Sequence, residues 1–179
     1  MRVMKPVLIL IFLTYTFLSF SFLSAEQNRP NILWLVVEDQ SKHYGFNGEK
    51  LVHTPVLDRL VSNGVRFTNA SVTAPVCSTA RSALITGMFQ TSIGAHHHRS
   101  GRGDAKIQKP DHIKLIPELF KEAGYYTCLG SSGHAAGTIR GKQKNRFGKS
   151  DYNFEWDSKV FDSAEWSGRN KEQPFFAKI

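Results

Sequence analysis

Apolar runs of strand length alternate with helical stripes along most of the chain. Residues 31–37, Asn-Ile-Leu-Trp-Leu-Val-Val, form a continuous apolar run rich in branched side chains. Such a run is typical of a strand buried on both faces of a parallel sheet. Further strands are predicted at residues 65–72 and 125–129, and residues 174–179 begin another buried strand. The chain ends inside this last run, which indicates a fragment of a longer domain.

Three segments between these strands have the apolar spacing of helices. Thr54 is a suitable N-cap for the first helix, Pro55 suits its first position, and Val56 and Leu60 belong to its apolar stripe. Strands that alternate with helices predict an α/β fold with a largely parallel sheet. The helices run from Pro55 to a stop at Gly64, from Ser78 to Ile85 before Gly87, and from Ile113 to Ala123, with Pro117 near the beginning and Gly124 as the stop.

Two long polar stretches, residues 88–112 and 130–172, interrupt this alternation. They are predicted as loops, which at that length are usually functional or disordered. The second stretch contains the only basic run, residues 142–149, and a solvated face is its simplest interpretation. The three consecutive histidines at 96–98 lie in the first stretch. Consecutive histidines do not share a face, so this segment is expected to shape a pocket, or to have no specific role, rather than to bind a metal.

The first 25 residues are set apart from the folded part. Arg2 and Lys5 form a basic region, residues 7–23 are almost wholly apolar, and Leu-Ser-Ala at residues 23–25 is a small-residue cleavage site. This pattern predicts a secretory signal peptide over residues 1–25 and a secreted or periplasmic protein. An uncleaved membrane anchor is the alternative, because the apolar run is just long enough to span a bilayer. No stable membrane anchor is expected.

The net charge of the chain limits the classes of molecule that it is expected to bind. The formal net charge of the 179-residue chain is +8, and it falls to +6 when Arg2 and Lys5 leave with the signal peptide. A basic protein suits anionic partners. Nucleic acid is not expected, because the protein is exported and its cations are spread thinly.

Two cysteines, Cys77 and Cys128, predict one disulfide by default in an exported chain.

Charged side chains mark a candidate site beside the first strand and the second helix. Glu38 and Asp39 follow the first strand, and ligands of parallel α/β sheets bind beyond the carboxyl ends of strands. Adjacent carboxylates repel each other, and a hard cation such as calcium or magnesium removes that cost. Cys77 precedes a helix whose free N–H groups favour an anion, and Arg81 lies one turn later on the same face. By themselves these residues also fit a surface acidic pair, a buried thiol and a surface arginine.

The stretch from residue 31 to residue 87 resembles the N-terminal part of the type I sulfatases, members of the alkaline phosphatase superfamily. Weaker similarity continues through residues 119–125. The match covers most of the mature chain and about the first third of a typical family member, so residues 26–179 are expected to be the N-terminal part of a sulfatase catalytic domain. The matching pieces are Arg29-Pro-Asn-Ile-Leu, Glu38-Asp39, Thr54-Pro-Val-Leu-Asp-Arg-Leu60, Gly64-Val-Arg-Phe-Thr-Asn-Ala70, Ala74-Pro-Val-Cys77 and Arg81-Ser-Ala-Leu-Ile-Thr-Gly87.

The resemblance implies an alkaline-phosphatase-like fold and a sulfuric ester hydrolase acting on a sulfated small molecule or glycan, with a carbohydrate expected. It implies that a maturation enzyme oxidises Cys77 to formylglycine. One hydroxyl of the hydrated aldehyde attacks sulfur, and the second helps to expel sulfate as the aldehyde reforms. By the same resemblance Glu38, Asp39 and modified Cys77 hold calcium, while Arg81 stabilises the hydrated aldehyde. A bridge to Cys128 would block this conversion, so Cys128 is expected to be a buried thiol.

The sequence departs from the family pattern at two positions within the matching stretch. Thr79 stands where the maturation motif usually has Pro or Ala, which bears on whether Cys77 is converted. The acidic pair is usually Asp-Asp, and Glu38 keeps the charge but reaches farther by one methylene. By the same resemblance the remaining metal ligands and a further lysine and histidine come from downstream segments. The 179-residue chain alone is therefore expected to be inactive.

The family's Lys-x-His element also lacks a direct counterpart, because residues 131–133 are Ser-Ser-Gly. One solution treats residues 131–147 as an insertion, which makes Lys149 the sulfate-contacting cation and places Asp151 where the family has histidine. The other solution uses His134. The first is preferred.

Two other functions fit the same residues. One is a phosphoester or phosphonate hydrolase of the same superfamily, in which a similar nucleophile and metal serve phosphorus chemistry. The other is a non-catalytic binding protein on this scaffold, with an unconverted Cys77.

Overall fold

A computed structural model describes residues 29–100, 103–104, 107–130 and 148–179. The chain divides into two compact units, Met1–Pro30 and Asn31–Ile179, and the fold is that of the second unit. The predicted signal peptide and His134 lie outside the described residues. Within those ranges, no helix is both long enough and apolar enough to cross a membrane.

The described residues form a three-stranded parallel sheet and three α-helices. The strand order is β1-β3-β2, so the last strand in the sequence occupies the centre of the sheet. In this register Phe176 of the central strand lies opposite Ile32 on one side and Thr127 on the other. The predicted α/β fold with a parallel sheet is confirmed. The elements are β1 (Ile32–Trp34), α1 (Pro55–Ser62), α2 (Cys77–Thr86), α3 (Ile116–Glu122), β2 (Tyr126–Leu129) and β3 (Phe175–Lys178).

One hydrophobic cluster joins α2, the start of α3, the end of β2 and the segment 152–161. That segment was predicted as part of a long polar loop. It is irregular apart from the short 3-10 turn at Ser158–Val160, as predicted, but it is packed rather than exposed. It supplies aromatic side chains to the core, and the ring of Tyr152 lies 5.7 Å from that of Phe154 between centroids. The cluster contains Ile85, Ile93, Ala95, Leu115, Leu129, Tyr152, Phe154, Val160 and Phe161.

The first strand is shorter and more exposed than predicted. β1 has only three residues and pairs with β3 alone, so it lies at the edge of the described sheet. Leu33, Leu35 and Val37 are 48%, 52% and 60% exposed. The prediction that both faces of this strand are buried was therefore wrong. The edge position leaves one row of backbone groups of β1 without a partner strand among the described residues, and no described element covers the face that carries Leu33, Leu35 and Val37.

The strand predicted at residues 65–72 is absent, although all eight residues are described. A strand needs a neighbour for its backbone hydrogen bonds, and this segment is fixed by a side chain instead. The Arg66 guanidinium donates to the carbonyl of Phe46 at 2.9 Å and to the side-chain oxygen of Asn47 at 2.6 Å. Val65 and Phe67 remain 82% and 78% exposed.

Helix α1 begins at Pro55, as predicted, and ends at Ser62, two residues before Gly64. Thr54 does not cap it in the expected way. Its hydroxyl accepts from the backbone N–H of Gly45 at 2.8 Å and donates to the Asp58 carboxylate at 3.0 Å. The helix is thereby tied to the turn before it. The predicted apolar stripe is not buried: Val56 and Leu60 are 67% and 60% exposed.

Helices α2 and α3 confirm the other two predicted helices. α2 ends before Gly87, whose φ of 64° lies in the left-handed region. α3 begins three residues later than predicted, at Ile116, with Pro117 in its first turn. Phe120 of α3 stacks on Phe176 of the central strand, with 4.5 Å between ring centroids. This contact packs the helix against the sheet.

Asp162 holds β2 through charge-assisted hydrogen bonds. Its carboxylate accepts from the N–H and hydroxyl of Thr127 at 2.9 and 3.0 Å, and Lys121 lies 2.6 Å away. Burial raises the pKa of Asp162, but the hydrogen bonds from Lys121 and Thr127 bring it below the usual 3.8. The carboxylate therefore stabilises the fold above the unfolded-state pKa, and that contribution is lost as the pH falls through the lower folded-state pKa.

We expect Asp162→Asn to lower the free energy of unfolding by about 1–3 kcal/mol at neutral pH, because hydrogen bonds to a charged group are lost. The difference from the unsubstituted protein should shrink as the pH falls below 3.8. Urea denaturation at about pH 7 and about pH 3 measures both values. Asp157→Asn, in an exposed turn, is the control. A difference that does not change with pH would contradict the assignment.

Candidate active site

The candidate site is built around the first turn of α2. Cys77 is the first residue of this ten-residue helix and follows Val76, whose backbone is extended. Its half-buried side chain faces the segment after residue 147, and its Sγ donates to the Asp151 carboxylate at 3.4 Å. The structure therefore brings Cys77 and Asp151 together across 74 positions of sequence.

Arg81 lies one turn beyond Cys77 and is buried, with its side chain only 6% exposed. Its Nη2 donates to Glu38 Oε2 at 2.7 Å, and its Nη1 donates to the backbone carbonyl of Lys149 at 3.3 Å. A surface arginine, the alternative left open by the sequence, is excluded. The guanidinium instead joins the loop after β1 to the loop that carries Lys149.

Lys149 completes this group of charges. Its ammonium forms an ion pair with Glu38 Oε1 and lies 3.7 Å from Asp151 Oδ2. The hydrogen bond from Lys149 lowers the pKa of Glu38, burial opposes that shift, and Arg81 lowers the pKa further. The Glu38 carboxylate is therefore ionised at neutral pH. The site thus contains two cations and two carboxylates beside the thiol of Cys77.

Asp39 takes a different position from Glu38. It is exposed and has a φ of 48°, in the left-handed region that non-glycine residues rarely adopt. Among the described residues, no group of three or more His, Cys, Asp or Glu side chains lies close enough to hold a metal ion. The predicted set of Glu38, Asp39 and Cys77 therefore stays a prediction. Its carboxylate oxygens suit calcium, while both oxygens of Glu38 contact cationic side chains here.

A buried polar network supports the site from the side of the three histidines. The hydroxyl of Ser78 lies 2.9 Å from Nδ1 of His98. Asn153 donates through its side-chain amide to the carbonyls of Ala95 and His97 at 2.9 and 2.7 Å. Its backbone N–H donates to the Ser82 hydroxyl at 2.9 Å. These bonds fix residues 95–98 against α2 and against the segment that carries Asp151.

The structure gives the surroundings of both cysteines and of Thr79. Both Cys77 and Cys128 are free thiols, so the default disulfide is not formed. Cys128 is fully buried in β2, as expected, and burial raises the pKa of its thiol to about 12. Thr79 is also buried, and its hydroxyl donates to the carbonyl of Val76 at 3.2 Å. This hydroxyl has a partner within its own helical turn.

A buried lysine at the end of the central strand was missed from the sequence. Lys178 is 1% exposed, and its Nζ donates to the Tyr152 hydroxyl at 3.1 Å. Burial lowers the pKa of Lys178 to about 7, and the charge of Arg81 adds to the shift. The sequence does contain a signal for a buried cation, because Lys178 stands inside the apolar run of residues 174–179. That run was interpreted only as a strand.

The arrangement is suited to binding an anion beside residue 77. Arg81 and Lys149 place two cations beside it, both paired with Glu38 here, and a guanidinium that is released from a carboxylate matches a tetrahedral oxyanion through two donors. Asp151 is an acceptor for a proton carried by the side chain at 77. Such a site would hold an anionic ester with its central atom near the first turn of α2.

Comparisons with known proteins agree with this geometry. The family model described as "Sulfatase" matches residues 30–179. An "Ulvan-active sulfatase" of Formosa agariphila is 34% identical over 160 residues, which are 83% of this chain and 24% of that protein. The human "N-acetylgalactosamine-6-sulfatase" is 36% identical over 112 residues, which are 59% of this chain and 22% of that protein.

One solved structure is also similar. It is titled "Crystal structure of Ps i-CgsB in complex with k-i-k-neocarrahexaose" and has a TM-score of 0.51 at 34% sequence identity. The similarity covers 57% of this chain and 23% of that one. The chain thus spans about a quarter of the length of the proteins that it matches.

Proposed function

Because this chain belongs to the sulfatase family, we propose that the whole protein hydrolyses a sulfate ester of a carbohydrate. Formylglycine made from Cys77 by a maturation enzyme is the nucleophile in this proposal. Glu38, Asp39 and the modified Cys77 would hold a calcium ion. The observation that carries the proposal is the buried Arg81, which links Glu38 to the Lys149 segment one turn from Cys77.

In this proposed reaction each side chain of the candidate site has a task. Arg81 and Lys149 donate hydrogen bonds to the sulfate oxygens and orient the ester. Asp151, which accepts from the side chain at 77, holds the attacking hydroxyl and receives its proton. Formylglycine supplies a hydrated aldehyde as nucleophile, and calcium, when bound, polarises the sulfuryl oxygens. The side chain of Glu38 would exchange its cationic partners for the metal.

A carbohydrate substrate is supported by what the similar proteins are named for. Two relatives are called "Ulvan-active sulfatase" and "N-acetylgalactosamine-6-sulfatase", and the similar structure contains a neocarrahexaose. We extend this to a sulfated glycan for the whole protein. The apolar segment at residues 7–23 further supports export to the periplasm or the cell exterior.

The test compares sulfate and phosphate esters of one leaving group. The whole protein is produced with a maturation enzyme and assayed with calcium, then again after chelation. We expect a preference of at least about 100-fold for the sulfate ester in kcat/KM, which is equivalent to about 3 kcal/mol of transition-state binding. Activity should disappear on chelation and return with calcium. A preference for the phosphate ester would instead support the phosphoester hydrolase alternative.

A further inference from the structure

Lys178 and Tyr152 form a buried polar pair beneath the candidate site. The Nζ of Lys178 donates to the Tyr152 hydroxyl at 3.1 Å and lies 4.9 Å from the centroid of the same ring. Desolvating an ammonium is costly, and an uncharged side chain of similar length would fill the same space without that cost. A lysine at this position therefore suggests a role beyond packing.

The position of the pair in the fold indicates what that role is. Lys178 is the last residue of β3, the central strand, so its backbone is fixed by neighbours on both sides. Tyr152 directly follows Asp151, and its ring packs in the core at 5.2 Å from Trp156. The hydrogen bond thus joins the most constrained part of the sheet to the segment that carries two site residues, Lys149 and Asp151.

That segment needs support because Asp151 has a strained backbone. Its φ is 51°, in the left-handed region, and such a conformation persists only when the surrounding structure fixes it. On one side of Asp151, Arg81 binds the carbonyl of Lys149. On the other side, the hydroxyl of Tyr152 binds Lys178, and Asn153 is held by Ser82. The Lys178 contact comes from the sheet, whereas Arg81 and Ser82 both lie on α2.

We propose that Lys178 is a positioning residue for sulfate ester hydrolysis. Its hydrogen bond to Tyr152 holds the strained turn that presents the Asp151 carboxylate to residue 77, whereas Lys149 is held separately through its carbonyl by Arg81. Lys178 acts through Tyr152, to which its side-chain nitrogen is hydrogen-bonded, and not by contacting the reacting atoms. The inference rests on the proposed function, since it names a residue that serves the same site.

The test uses three variants of the whole protein, produced with a maturation enzyme. They are Lys178→Met, Tyr152→Phe and the double variant, and Lys159→Met at an exposed lysine is the matched control. We expect each single change to lower kcat by about 10-fold or more while KM changes by less than about 3-fold, because the attacking group is misplaced rather than the substrate lost. The double variant should be no slower than Lys178→Met, since both changes remove one interaction.

Hydrogen exchange of residues 148–153 gives a readout that does not depend on activity. We expect both single changes to speed exchange there, with no change for Lys159→Met. Unchanged kcat and unchanged exchange in folded Tyr152→Phe would overturn the proposal, even if Lys178→Met failed to fold. Effects on kcat that multiply in the double variant would also overturn it. If the unsubstituted protein hydrolyses no sulfate ester, the proposed function fails, while faster exchange in the variants would still support the positioning of Asp151.

Discussion

Replacing Cys77 with serine is expected to reduce sulfate ester hydrolysis by the whole protein at least about 1,000-fold in kcat. Serine keeps the length of the side chain and supplies one hydroxyl, but it forms no aldehyde hydrate. A serine sulfate would need a second substitution at sulfur, whereas the sulfated aldehyde hydrate breaks a C–O bond instead. Turnover of an aryl sulfate measures the loss, and the mass of the peptide containing residue 77 measures conversion.

Cys128 provides the matched control for this experiment, because it is the other thiol of the chain and is fully buried in β2. Cys128→Ala should retain labelling by an aldehyde-reactive probe and most of the activity, although the cavity it leaves will lower stability. Cys77→Ser should lose the label. Full activity of Cys77→Ser, or a Cys77 that remains a thiol in an active enzyme, would contradict the formylglycine mechanism.

Arg81→Met is expected to have the second-largest effect, because this side chain serves both the site and the fold. We expect kcat/KM to fall by about 100- to 1,000-fold when one donor to the developing charge is removed. The free energy of unfolding should also fall, by about 1–3 kcal/mol, because Glu38 loses a buried partner. This loss of stability is smaller than for a fully buried ion pair, because the Glu38 side chain is 34% exposed and retains its ion pair with Lys149.

Two further variants separate these effects. Arg59→Met changes an exposed arginine in the last turn of α1 and should leave both kcat/KM and stability nearly unchanged. Adding Glu38→Gln to Arg81→Met should recover part of the lost stability, because the carboxylate that has lost its buried partner no longer carries a charge. Activity should not return, since Glu38 is itself a proposed calcium ligand. Steady-state kinetics and urea denaturation measure these values. Unchanged kcat/KM in folded Arg81→Met would contradict a direct role of Arg81 in binding sulfate.

Local sequence was sufficient for the elements whose signals lie within one element. The α2 helix and its stop at Gly87 follow from short-range spacing, and so does the placement of Arg81 one turn after Cys77. The central strand was visible as an apolar run at residues 174–179. Its neighbours were not, because the order β1-β3-β2 depends on contacts between residues more than 40 positions apart.

Predictions failed where burial was inferred from composition alone. The apolar run at residues 31–37 suggested a strand buried on both faces, but β1 lies at the edge of the described sheet. The run at residues 65–72 had strand composition, yet its backbone found no partner strand and Arg66 anchors it instead. The opposite error occurred at Tyr152 and Phe154. They lie in a stretch that is mostly polar and was predicted as a loop, yet both are core residues. Burial is a property of what packs on a residue, which composition does not specify.

The sequence by itself determined the fold class and the helix predicted from Ser78 to Ile85, because these depend on local spacing and residue type, and its resemblance to a family singled out the candidate residues. Only the tertiary structure decided that the guanidinium of Arg81 is buried on Glu38 and that Lys149 and Asp151 reach the same site. It also placed the buried Lys178 in hydrogen-bond contact with Tyr152, the residue after Asp151. The physical reason is that hydrogen bonds and ion pairs form between side chains brought together by the sheet, and separations of 26–111 positions leave no periodic trace in the sequence.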